Sequence, residues 1–261
     1  MLSCLICTHR GASFINTLLN HLGHQSLDKR SFEILILDNT PQGLEGKIEG
    51  RGSLPIQISR NASTHGFIGA LRNEIFRKAK GEYILFLDDD TQILQKDFLH
   101  KALELFKHTD ADIIMPCAYG IASDKMPHYH YLDNYSFAAR CCLYKKSILD
   151  EVGVFRENIT AYEDIDLGIR MRLRKAKILK TPLLEYHHPV LFFDSLQKPL
   201  AIGQSILKLR AYYPWYLWIL IYLNALRFLP LILVPTMQNR QWFKISWGVF
   251  LAPFMKERKA Y

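Results

Sequence analysis

The chain has 261 residues, enough to bury a full core as one large α/β domain or a domain with an appendage, and too few for two equal domains. Hydrophobic residues at 49% and charged residues at 22% fit an ordinary globular protein and exclude a disordered chain or a polytopic membrane protein. The formal net charge of +8 suits a polyanionic partner, and with no zinc-finger spacing or RNA-binding aromatic signature no specific nucleic acid is expected, which leaves anionic lipid and phosphate-bearing substrates.

The first predicted element is an apolar strand over residues 2–7, ending in the loop Thr8-His9-Arg10-Gly11. Cys4 and Cys7 form a CxxC pair inside that strand, but no second pair completes a zinc site, so they read as buried strand cysteines. Together with Cys117, Cys141 and Cys142 they make an odd set with two adjacent, which points to a reducing cytosol rather than a disulfide framework. No basic segment followed by an apolar stretch and cleavage site opens the chain, so a cytoplasmic location is expected.

A helix carrying Phe14, Leu18, Leu19 and Leu22 follows, then a strand over 32–37 ending at Asp38. Glycines at 43, 46, 50 and 52 with Pro55 mark a loop before a third strand at 56–59 and a helix over 67–78. The strand at 83–87 runs directly into Asp88-Asp89-Asp90. A helix at 98–106, a strand at 112–115 and an aromatic-rich β segment at 135–144 come next. Glu163-Asp164-Ile165-Asp166 opens a basic helix through Lys175, and a strand at 183–186 ends in His187-His188. This alternation predicts an α/β, Rossmann-like domain over residues 1–190, with a mostly parallel central sheet flanked by helices.

Residues 191–261 form a C-terminal helical appendage. Positions 215–223 are continuously apolar, and the run resumes at 228–234 after Asn224 and Arg227. A spanning helix needs about 20 apolar residues, and a central arginine costs about 3 kcal/mol on insertion scales. With Trp215, Trp218, Trp242 and Trp247 beside Arg210, Arg227, Arg240 and Lys244, contact with a membrane surface fits better than a soluble helical cap or true insertion.

In open α/β sheets ligands bind at the carboxyl edge of the strands, where the three aspartates stand. Strand spacing points Asp88 and Asp90 to the same side, where they can offer oxygen ligands to a hard divalent ion, Mn2+ or Mg2+. Asp38 and the pair Glu163-Asp164 fall at positions that the same edge can gather. The bland alternatives are a solvated acidic turn and helix capping, the latter worth about 0.5 to 1 kcal/mol.

The strand end Cys7-Thr8-His9-Arg10, the step Asp38-Asn39, the run 61–66, Arg72-Asn73, the segment 81–90, Val152-Gly153-Val154-Phe155 and the segment 162–167 together resemble family 2 glycosyltransferases, in the family's order, over residues 1–190. The resemblance implies a GT-A fold, a divalent cation, a nucleotide-sugar donor and inversion at the anomeric carbon by direct displacement. By the same resemblance Thr8, Arg10, Asp38, Arg72, Asp88 and Asp89 are donor-binding positions, and Asp90 is a metal ligand. Asp164 matches the catalytic base, with Glu163 supporting it or touching the acceptor. His187 matches the histidine that follows the last strand and joins the metal or the diphosphate, with His188 a close competitor and an exposed pair before Pro189 the alternative.

His9 and Cys7 depart from the usual pattern and touch nucleoside packing, so a UDP- or dTDP-sugar is only the default donor. The expected function is sugar transfer, at the cytosolic face of a membrane, onto a glycan or lipid-linked acceptor of a cell-surface polysaccharide or lipopolysaccharide. A polyprenyl-phosphate sugar synthase or a noncatalytic glycan- or membrane-binding relative are the alternatives. A nucleotidyltransferase would carry a glycine-rich basic loop that Thr8-His9-Arg10-Gly11 is not. The acceptor is expected around residues 120–134 and beyond 189.

Overall fold

The computed structural model describes residues 1–49, 53–61, 67–124, 126, 129, 131, 133–135, 140–190, 192–234 and 236–255. Seven segments form one sheet: β1 (Leu2–Thr8), β2 (Phe32–Asp38), β3 (Ile56–Arg60), β4 (Tyr83–Asp88), β5 (Ile113–Ile121), β6 (Cys141–Lys145) and β7 (Ile178–Pro189). Their order is β3-β2-β1-β4-β6-β5-β7, and every neighbouring pair is parallel except the two that involve β6. The helices of this part are α1 (Ala12–Gly23), α2 (Ile68–Lys78), α3 (Phe98–His108), α4 (Lys146–Val152) and α5 (Glu163–Leu173).

The central strands are apolar without alternation because both faces of the sheet are covered. Ile34 and Ile36 of β2 and Leu85 and Leu87 of β4 pack on one face with Leu18, Leu22, Phe98 and Leu99. Leu35, Leu37, Ile84 and Phe86 point to the other, against Leu71 and Ile75 of α2 and Leu167 and Met171 of α5. Each such leucine, fully buried, contributes about 1.5 to 3 kcal/mol.

Three expectations about the elements change. The inner face of α1 is Ile15, Leu18, Leu19 and Leu22 at i, i+3, i+4, i+7 spacing, while Phe14 is exposed beneath the Arg10 guanidinium. The expected β segment at 135–144 contributes only Cys141–Lys145 to the sheet, and residues 136–139 lie outside the described residues. The last strand begins at Ile178 rather than 183, since Asp112 and Lys177 bring it beside β5 from its first residue.

The chain divides into two units, the first comprising Met1–Ile121, His130–Glu157 and Asp164–Pro189, and the second Ala122–Tyr129, Asn158–Glu163 and Val190–Tyr261. Within the second unit stand α6 (Gln197–Lys208), α7 (Trp215–Leu226) and α8 (Met237–Leu251). Helices α6 and α8 touch backbone to backbone: a Cβ on Gly248 would sit 2.4 Å from the Pro199 carbonyl carbon, and one on Gly203 would sit 2.8 Å from the Val249 Cα. Gly248→Ala is therefore expected to cost about 1 to 3 kcal/mol by overpacking, read as a lower midpoint in a thermal melt. A change below 0.5 kcal/mol would show that the two helices can separate freely.

Of the four tryptophans expected at an interface, Trp215 is open to solvent, whereas Trp242 packs on Phe228 and Trp247 stacks between Phe243 and Phe250. The stretch Trp215–Leu233 has a mean hydropathy of 1.8 and is only 11% buried.

Candidate active site

Parallel pairing fixes which residues share the carboxyl edge of the sheet. Thr8 is in register with Asp38, and Cys7 with Asp88, so the ends of β1, β2 and β4 lie side by side. Past Asp88 the chain turns, with the Thr91 amide donating to the Asp88 carbonyl at 3.1 Å. The three aspartates then diverge. Asp89 is drawn towards β1, where the Thr8 hydroxyl donates to it at 2.7 Å and Arg10 lies 3.7 Å away. Asp88 and Asp90 take the other side and meet His188, with candidate ligand atoms of all three within 4.8 Å of one another.

Backbone pairing explains why His188 rather than His187 reaches the acidic group. Gln92 and His187 exchange both amide-carbonyl hydrogen bonds, at 2.8 and 2.9 Å, which fastens the acidic turn to β7. His187 thus serves through its backbone, and its ring stacks on Tyr119 with centroids 5.4 Å apart. Side chains alternate along a strand, so the next residue faces the opposite way. The His188 Nε2 lies 3.0 Å from Asp90 Oδ1 and 3.6 Å from Asp88 Oδ2. Of the two candidate histidines it is thus His188 whose ring meets Asp88 and Asp90, while the ring of His187, the expected one, lies on Tyr119. Leu184, Tyr186 and His188 are all buried at period two, a signal legible in the sequence once the strand's inner face is known.

The donor set fits a divalent cation. Asp90 Oδ1 and His188 Nε2 are both buried, and despite their separation neither meets an aligned hydrogen-bond partner. Buried polar atoms left in that state are costly, and two carboxylates with one imidazole form a set suited to Mn2+ or Mg2+ with positions open for phosphate oxygens. The surrounding charges are balanced: Arg10 pairs with Asp90, and Arg72 Nη2 donates to Asp88 Oδ1 at 2.9 Å. Burial alone would push the Asp88 carboxyl up, but His188 and Arg72 hold it well below the usual carboxylate range. Burial also favours a neutral His188, and the two carboxylates outweigh it to raise the ring's pKa.

Asp38 forms a separate, rigid feature at the end of β2. Its Oδ1 accepts from the Thr40 amide at 2.9 Å and the Thr40 hydroxyl at 2.6 Å, and its Oδ2 from the Leu44 amide at 2.8 Å. Arg60 donates to the carbonyls of Thr40 and Pro41 and stands 3.8 Å from the carboxylate. Burial raises the Asp38 pKa, but these hydrogen bonds overcome it and leave the group below its ordinary value. A depressed folded-state pKa gives stability that is present above the unfolded value and is lost as pH falls through the folded one. Asp38→Asn is expected to cost about 1 to 3 kcal/mol at neutral pH, with the difference from wild type shrinking in acid, measured by urea unfolding at two pH values. An equal difference at both would show that the charge is immaterial.

Asp164 sits in the first turn of α5, where its Oδ1 accepts from the Ile165 amide at 2.8 Å. Burial pushes its carboxyl up, against the pull of Arg72 and Arg140. Glu163, the first residue of α5, is buried, and the residue before it, Tyr162, is held at φ +74°, an outlier for a non-glycine residue. Asp166 takes no part in the acidic group: it is fully buried and paired with Arg156 and Arg170. Arg140 is a residue that sequence reasoning missed. Its Nη1 donates to the Tyr131 hydroxyl at 3.3 Å, its carbonyl accepts from Thr91 and Asp88, and its charge acts on both Asp88 and Asp164. The run 61–66, one of the segments that carry the family resemblance, lies outside the described residues from 62 onward.

The family model described as Glycosyl transferase family 2 matches residues 3–160. Among curated proteins, the poly(ribitol-phosphate) beta-N-acetylglucosaminyltransferase TarS of Staphylococcus aureus is 28% identical over 127 residues, which are 48% of this chain and 22% of that protein. The poly(ribitol-phosphate) beta-glucosyltransferase of Bacillus spizizenii is 25% identical over 206 residues, 72% of this chain and 32% of that one. The chain thus spans a third or less of the length of these two relatives.

Two solved structures share the fold. The S. aureus TarS 1-349 complex with UDP-GlcNAc superposes with a TM-score of 0.64 at 20% identity, covering 80% of this chain and 66% of that one. The mannosyltransferase PcManGT from Pyrobaculum calidifontis, in complex with GDP-Man and Mn2+, gives 0.66 at 13% identity, covering 97% and 86%. The seven-stranded sheet and its flanking helices are the expected GT-A fold. With the family model matched from Ser3 through Thr160, the chain belongs to glycosyl transferase family 2.

Proposed function

We propose that the protein transfers a sugar from a nucleoside-diphosphate sugar, by default a UDP- or dTDP-sugar, to a hydroxyl of a cell-surface glycan or lipid-linked acceptor, with inversion at the anomeric carbon. The observation that carries this reading is the group formed by half-buried Asp88 with the buried side chains of Asp90 and His188 at the carboxyl edge of the sheet. The relatives that act on poly(ribitol-phosphate) support a polyhydroxylated, phosphate-bearing acceptor. Asp164 is the base: it takes the acceptor hydroxyl proton as the oxygen attacks the anomeric carbon and the bond to the diphosphate breaks on the opposite side. Glu163 supports it. Asp38 with Thr8 and Arg10 holds the nucleoside end, Arg72 keeps Asp88 ionised, and Asp89 orients Arg10. Asp90 and His188 would hold Mn2+ or Mg2+, which supplies charge neutralisation to the departing diphosphate. The basic, aromatic C-terminal helices suit a location at the cytosolic face of a membrane.

The test is a panel of nucleotide sugars with and without Mn2+. Wild type should bind one donor in a metal-dependent way, and Asp90→Ala or His188→Ala should weaken that binding at least about tenfold. His187→Ala, which keeps the backbone bridge, should leave it unchanged. If no nucleotide sugar binds with either metal, the transferase reading fails; if His187→Ala is the damaging change, the assignment of the imidazole fails.

A further inference from the structure

Helix α7 is buried along the stripe of Ile221 and Ala225, and the Trp218 indole N–H donates to the Ile206 carbonyl of α6 at 2.8 Å. The helix is therefore fastened along one side. Its outward side is also apolar: Tyr216, Ile219, Leu220 and Leu223 recur at i, i+3, i+4, i+7 and are all exposed, Leu220 by 60%. The 3-10 turn Leu229–Leu233 continues the pattern, with Leu233 exposed by 81%. Two neighbouring stripes of one helix, both apolar, leave one of them without a partner in water.

The charges along the segment that carries this face have one sign. Between Ser195 and Met255 there are six charged residues, Lys198, Lys208, Arg210, Arg227, Arg240 and Lys244, and none is acidic. Arg210 and Lys208 line a cleft of about 600 Å³ with Asn158 and Tyr212, just before α7 begins. A second copy of so uniformly positive a segment would be repelled, whereas anionic headgroups would be attracted. The regular helix has 12 residues, a length of about 18 Å against the ~30 Å of a hydrocarbon core, and Arg227 follows it at once.

We propose that α7 and the turn after it lie flat in the interfacial layer of one bilayer leaflet rich in anionic lipid, with the arginines at the headgroups and Leu220 and Leu223 in the acyl region. This rests on the reading of a membrane-side transferase and gives its surface a lipid chemistry.

Co-sedimentation of the full chain with vesicles of phosphatidylcholine, alone or mixed with phosphatidylglycerol, tests it. Wild type should bind the mixed vesicles at least about tenfold more tightly, lose that preference in high salt and be released by alkaline carbonate. Arg210→Gln with Arg227→Gln should weaken binding to the mixed vesicles by about fivefold for each arginine. Leu220→Glu with Leu223→Glu, both at exposed positions, should abolish it without shifting the thermal midpoint. Equal binding to both vesicles, binding to neither, resistance to carbonate, or a vesicle-free dimer that the leucine variant dissociates would each overturn the proposal. Turnover of the donor on a soluble hydroxyl acceptor, measured without vesicles, reports the transferase reading separately, so either can fail while the other stands.

Discussion

Asp164→Asn is expected to lower kcat by about 10² to 10⁴-fold while donor affinity stays within about twofold of wild type. The amide keeps the size of the side chain but cannot take the acceptor's proton. Because burial raises the Asp164 pKa, wild-type turnover should climb with pH through a value above the ordinary aspartate range, and that limb should vanish in the variant. The same shift has a consequence for stability. A carboxyl raised on folding binds a proton that the unfolded chain has released, so the native state loses stability as pH rises through that window. Asp164→Asn should therefore melt at or slightly above the wild-type temperature at neutral pH. A variant that is inactive and also unstable would point to a structural role for Asp164.

Asp166→Ala should do the reverse, removing about 3 to 5 kcal/mol of stability. The carboxylate is fully buried and holds Arg156 Nε at 3.2 Å and Arg170 Nε at 2.9 Å. Arg170 in turn donates to the carbonyls of Val152 and Val154, on either side of Gly153, where the backbone takes φ values of +78° at Gly153 and +42° at Val154. Removing Asp166 leaves two partly buried arginines without their shared carboxylate and releases a left-handed turn that a valine would not otherwise adopt. Chemical unfolding measures the loss, and a cost under 1 kcal/mol would mean that water replaces the carboxylate at little penalty.

The two aspartates stand two residues apart in one acidic tetrad but in opposite surroundings, Asp164 with its carboxyl pushed up by burial and Asp166 paired with Arg156 and Arg170, which spacing alone did not separate. The sheet was more legible. The apolar runs ending at Thr8, Asp38 and Asp88 each carry one polar terminus, and parallel pairing leaves those termini on one edge. What escaped depended on tertiary context. The inner face of α1 passes through Ile15 rather than Phe14, because both residues fit an apolar stripe and only packing on β1 and β2 selects one. The seven-residue α4 is too short for a periodic signal, and it ends at Gly153 in the left-handed conformation. Arg140 belongs to no motif; it matters because β6 runs antiparallel and delivers its first residues back to the acidic turn.

The choice between His187 and His188 was hidden for a different reason. The pairing of β5 with β7 slips between Pro116 and Cys117, whose partners are Thr181 and Glu185, so two exposed residues, Pro182 and Leu183, break the alternation of β7. Counting from the start of the strand assigns the wrong face to everything beyond the slip, and only Leu184 and Tyr186 restore the phase.

The bridge between Gln92 and His187 makes chain length at the acidic turn as strict a requirement as acidity. One residue inserted between Asp90 and Gln92 would either break both hydrogen bonds or shift the pairing by one and hand the inward position to the wrong histidine. The bridge uses only the backbone of residue 187, so it tolerates any side chain there short of proline, whereas a deletion or insertion from 88 to 92 would displace it.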